Sequence, residues 1–149
     1  MLAKTATLSL FIVAIVLCCF ASELVPVSVE RPPVEIAGGY SLGRSTLGGL
    51  KLYGKEYKCH DDPNATCYPT VVDQSVVRIG WDDNFILIER HPLDTVIFAT
   101  PDATNPSWFI IVLSSSKIYD NLSHEKFAEL IKTLEIPEIE MQDAMDVYN

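Results

Sequence analysis

The stretch VVRIGWDDNFILIER, residues 76–90, decides the fold. It closes one strand signal, Val71–Trp81, and contains the next, Phe85–Arg90. Between them Asp82-Asp83-Asn84 is a compact polar turn, so the pair reads as a β-hairpin. Two-residue alternation places Val77, Ile79 and Trp81 on one face. Further along, WFIIVL at Trp108–Leu113 is apolar without alternation, the mark of a central strand covered on both faces. A helix follows. Ser123 is a natural N-cap and Glu125 suits the helix dipole. Leu122 and Phe127 occupy the positions of a hydrophobic staple. Phe127, Leu130, Ile131 and Leu134 form one apolar stripe, and Pro137 is the expected stop. That stripe needs an apolar partner. The sequence therefore predicts an α+β fold, a twisted and mainly antiparallel sheet with a C-terminal helix packed on it.

Working outward, further strand signals lie at Val34–Leu42 and Leu50–Tyr57, separated by a Gly/Ser/Thr-rich turn at Gly43–Gly49. Others lie at Thr95–Thr100 and Lys117–Tyr119. Ser22–Pro33 has three prolines and little periodicity, so it reads as an extended linker. Glu138–Asn149 is acidic and reads as a short second helix or a frayed tail. The expected division is thus a leader at 1–21, a linker at 22–33, one β-rich domain at 34–137 and the acidic segment at 138–149.

The leader has the layout of a secretory signal. Lys4 precedes an apolar run from Leu8 to Phe20, broken only by Ser9, and Cys19-Phe20-Ala21 carries small residues where a signal peptidase reads. The run is short of the roughly 20 residues a membrane span needs. The expected location is therefore the periplasm or cell envelope, or otherwise the medium. Two rival readings are an uncleaved anchor and a lipoprotein signal with Cys18 or Cys19 bearing the lipid. The whole chain carries a formal charge of −9; without the leader's single lysine, residues 22–149 carry −10. Such a charge is repelled by nucleic acid and by anionic bilayers and suits a basic protein surface. It also serves simply to keep an exported protein soluble.

Cys59 and Cys67 bracket a nine-residue loop and, in an oxidising compartment, read most simply as a disulfide. A metal site built from both thiolates and His60 is the weaker alternative, because His91 and His124 supply no second pair of ligands. GLKLYGK at Gly49–Lys55 matches most of a phosphate-binding loop, but Glu56 stands where Ser or Thr must bind magnesium, and the segment alternates as a strand. No G-x-S-x-G, HExxH or serine–lysine signature occurs. His60, His91 and His124 fall at places where histidines are usually solvated, and Asp61–Asp62 and Asp82–Asp83 are better explained by turn chemistry than by calcium. Asn64-Ala-Thr66 and Asn121-Leu-Ser123 match the glycosylation pattern. These residues point to no catalytic centre, cofactor or metal. Trp81, beside Asp82 and Asp83 at the hairpin tip, is a candidate aromatic contact for a partner.

Residues 76–90 and SWFIIVLSSSKIYDNLSHEKFAELIKTLEIP at 107–137 together resemble a family of small bacterial exported proteins and lipoproteins of unknown function. Relatives commonly carry Gly-Pro after the Tyr-bearing strand, where this chain has Asp120-Asn121. The resemblance implies an envelope location and brings no active-site residues. The expected function is a non-catalytic domain that binds a basic protein, as an accessory subunit or an inhibitor or immunity-type protein. The alternatives are a ligand site or enzyme formed by the Cys59–Cys67 loop with the Asp82–Asn84 turn, and a passive structural role in the envelope.

Overall fold

A computed structural model describes residues 31–45, 48–62, 64–93 and 101–149. The expected leader with Cys18 and Cys19, most of the expected linker and the strand expected at Thr95–Thr100 lie outside the described residues. Among the described residues, no helix is long and apolar enough to cross a membrane.

The chain is mainly antiparallel β-sheet with a helix near its C-terminal end. Two sheets stand where the sequence suggested one. The first has the order β1-β2-β3-β6, from Val34–Ala37, Tyr40–Arg44, Leu50–Tyr53 and Thr70–Val72. The second has the order β10-β9-β8-β7-β11, from Lys117–Leu122, Ser107–Val112, Phe85–Arg90, Val76–Trp81 and Gln142–Asp143. A small hairpin pairs β4 (Tyr57–Lys58) with β5 (Thr66–Cys67).

Three expected strands are each split, Leu50–Tyr57 because β3 ends at Tyr53 and Tyr57 opens β4. Gly38 and Gly39 both take positive φ, +59° and +83°, and turn Val34–Leu42 into the β1–β2 hairpin. Only glycine accepts two such residues in succession without steric cost. Asp73–Ser75 divides Val71–Trp81, so that β6 joins one sheet and β7 the other.

The main core lies between the two sheets. Ile36, Tyr40, Leu42, Leu50, Leu52 and Val72 of the first meet Val76, Ile79, Ile86, Ile88, Phe109 and Ile111 of the second. Alternation in β7 does not run as expected. The pairing steps from Val76↔Arg90 to Arg78↔Glu89, which leaves Val77 as an unpaired extra residue. A bulge of this kind moves the inward set by one residue. Val76, Ile79 and Trp81 therefore face the core in place of Val77, Ile79 and Trp81.

The outer face of the second sheet carries α1, His124–Thr133. Phe127, Leu130, Ile131 and Leu134 pack against Leu87 and Ile110, so β9 is covered on both faces as its apolar run predicts. It lies one place from the sheet's centre, which β8 occupies. Ser123 caps the helix, its Oγ accepting from Lys126 N at 3.2 Å. Pro137 is not the stop. The Ile136 and Glu135 amides donate to the carbonyls of Ile131 and Lys132, closing the helix end three residues earlier. Glu135 holds φ +51° there, the position glycine usually fills. Burial of Ile136 anchors this unusual end.

Beyond it, residues 139–143 run along β7. Gly80 is the contact point, since a Cβ there would stand 2.6 Å from the Glu140 carbonyl oxygen. β11 pairs with β7, and α2 (Ala144–Tyr148) buries Ala144 and Tyr148 in the main core. Tyr148 donates its hydroxyl proton to the Arg31 carbonyl at 3.0 Å, and the Arg31 guanidinium donates to the carbonyls of Tyr148 and Asn149. Arg31–Asn149 thus forms one compact unit.

Candidate functional site

The outer face of the first sheet is built from small and aromatic residues. Tyr40 and Leu42 point into the core, so Ser41 and Gly43 face outward. The Tyr53 ring and Pro33 close over Gly43; a Cβ there would meet Tyr53 Cε2 at 2.7 Å. Tyr53 meets Tyr68 edge to face, with ring centroids 6.5 Å apart. Tyr68 is held beside the sheet by the β4–β5 hairpin, in which Cys59 and Cys67 stand at disulfide distance, Sγ to Sγ 2.04 Å and Cα to Cα 5.2 Å. The Tyr68 hydroxyl donates to Glu56 Oε2 at 3.4 Å.

These features enclose an open cleft of about 570 Å³. Pro32 and Pro33 line it from the incoming chain, Tyr68 and Glu56 from the hairpin side, and Glu35, Gly39, Ser41 and Lys55 from the sheet. The size lies within the usual range for ligand-binding clefts, about 300–1,000 Å³. Ser41 is 9% exposed and its Oγ has no hydrogen-bond partner, an uncommon condition for a buried hydroxyl. Neither Glu35 nor Glu56 lies within salt-bridge distance of a cation among the described residues. Lys55 lays its stem on Gly39, with Cγ 3.1 Å from the position a Cβ would take. The three charged groups together leave the cleft one unit negative.

The residues singled out in the sequence are dispersed. Trp81 is half-buried against the main core. Asp82 Oδ1 accepts from the amides of Asn84 and Phe85, both at 2.7 Å, while Asp83 is exposed. Asp62 makes the equivalent bond to Asn64 N at 2.9 Å. Both acidic pairs thus hold turns. His91 Nε2 lies 2.8 Å from Glu89 Oε1, and the His124 ring packs on Trp108 at 5.0 Å. His60 is exposed. Asn64 and Asn121 are exposed, and Ser123 is occupied as the helix cap. Among the described residues, no group of three or more His, Cys, Asp or Glu is placed to hold a metal.

The large cleft reaches the disulfide hairpin through Tyr68, and a second cleft of about 200 Å³ lies by Gly49, Ser75 and Asp143. Asp82, Asp83 and Asn84 line neither. The sequence reading did not single out Glu35, Ser41 or Tyr68, and it met Lys55 and Glu56 only in setting aside a phosphate-binding loop. One signal was available: of six tyrosines, three fall at 53, 57 and 68, around the cysteine pair.

No curated protein and no solved structure matches this chain. One family does, over residues 38–147, a span that takes in the second sheet, the hairpin, α1, all but the last residue of α2 and every strand of the first sheet except β1. The chain belongs to the family described as "Protein of unknown function (DUF3997)".

Proposed function

We propose that this chain is a non-catalytic binding domain of the cell envelope that engages a basic protein partner. Export by the leader, with cleavage near Ser22 or lipidation at Cys18 or Cys19, places it there. The observation that carries the reading is the distribution of charge. From Glu135 to Asp146 the chain holds five acids, Glu135, Glu138, Glu140, Asp143 and Asp146, and no Lys or Arg. All five are exposed, on a segment fastened to the body by β11 and by burial of Ala144 and Tyr148. Fixed like charges on a rigid support steer a partner of opposite charge and raise its association rate.

The test is a pull-down from the native envelope with tagged residues 22–149, at low and at moderate salt. A stoichiometric basic partner should be captured, released as salt rises, and lost when Glu138 and Glu140 are both changed to Lys. Capture that ignores both salt and charge reversal, or no capture at low salt, overturns the proposal.

A further inference from the structure

We infer that the cleft between Pro32–Pro33 and Tyr68 is the anchor pocket for an arginine side chain of that basic partner, an inference that rests on the protein-binding reading above. The acidic segment leads to it. Arg31, the residue before Pro32, donates to the carbonyls of Tyr148 and Asn149, so the chain that carries Asp143 and Asp146 ends beside the cleft's proline wall. Within the cleft the chemistry suits one guanidinium. Tyr68 is 43% exposed and its contact with Tyr53 is edge to face, which leaves ring surface for a flat cation. Among the described residues neither Glu35 nor Glu56 has a cationic partner; Glu35 offers both carboxylate oxygens to a planar donor fork, and Glu56 offers the oxygen that does not accept from Tyr68. Ser41, whose Oγ is unpartnered among the described residues, lines the cleft's sheet side.

Arginine is selected over lysine by shape. Its guanidinium stacks on an aromatic face and bonds a carboxylate in two places at once, whereas an ammonium does neither as well. Lys55 lines the same cleft and keeps its negative balance to one unit, so the pocket takes a single cation and repels anions. An anchored aromatic–arginine contact inside a charged rim is the usual form of an interface hot spot. The disulfide hairpin has a part in this, because it holds Tyr68 at the cleft edge.

The experiment titrates the protein with a blocked peptide of alternating glycine and arginine, followed by amide chemical shifts. Matched peptides carry lysine or the neutral isostere citrulline. Gly39, Ser41 and Tyr68 should shift, the lysine peptide should bind about threefold more weakly, and the citrulline peptide should not bind. Glu35→Gln with Glu56→Gln, and separately Tyr68→Ala, should each weaken the arginine peptide about tenfold. Glu138→Gln with Glu140→Gln, outside the cleft, should weaken it by less. If the peptide binds but ignores the cleft variants, or binds as citrulline equally well, the anchor pocket is wrong while the acidic-surface reading survives. If no basic peptide binds at low salt, the protein-binding reading itself falls.

Discussion

At the scale of single residues, the structure places charge pairs where the sequence shows only composition. Lys51 Nζ lies 2.8 Å from Asp73 Oδ1, and this bond, with help from the Gln74 amide, holds the Asp73 carboxyl below its ordinary range. A carboxyl that releases its proton more readily when folded stabilises the fold fully above its unfolded value, about 3.9. That contribution is lost as pH falls through the lower folded value. The Asp73 side chain is 63% exposed, so solvent screens most of the effect. Asp73→Asn is expected to cost no more than about 0.5 kcal/mol at neutral pH. The gap should close below about pH 3.9, as read from urea midpoints of both proteins between pH 2 and 7. A gap that widens in acid would contradict the assignment.

At the scale of elements, what was legible depended on how far each element's signal reached. The α1 stripe and its Ser123 cap are local in sequence, and both appear where the pattern puts them. Its end did not, because Glu135 adopts a left-handed conformation that only the burial of Ile136 makes worthwhile. The β7 bulge escaped for the same reason: nothing at Val76-Val77 distinguishes a bulged pair from a regular one until β8 is set beside it. The disulfide hairpin belongs to this scale. Breaking it with Cys59→Ser should lower stability by about 2.5 kcal/mol on the chain-entropy account, since the closed loop is short. Thermal melts with thiol titration of residues 22–149, which lack Cys18 and Cys19, check this, with one reactive thiol expected in the variant and none in the unsubstituted protein. Two reactive thiols in the unsubstituted protein would refute the pairing.

At the scale of the whole molecule, the acidic segment after residue 137 is a structural part of the body. β11 closes the second sheet, and Tyr148 fills the main core at 4% exposure. Tyr148→Ala should therefore cost about 3–5 kcal/mol, as for other large buried aromatics. Tyr148→Phe, which removes only the bond to the Arg31 carbonyl, should cost about 1 kcal/mol. Equal effects of the two in denaturant unfolding would show that the ring is not packed. The sequence by itself determined the class of fold, the hairpin at 76–90, the doubly covered strand at 108–112 and the helix that covers it. Periodicity, turn residues and caps are short-range signals, and these elements depend on little else. Only the tertiary structure decided that the strands divide into two sheets, that the last residues join the core, and that Glu35, Ser41, Glu56 and Tyr68 share one cleft. Those outcomes depend on contacts between residues distant in the chain, such as Arg31 with Tyr148, which no local pattern encodes.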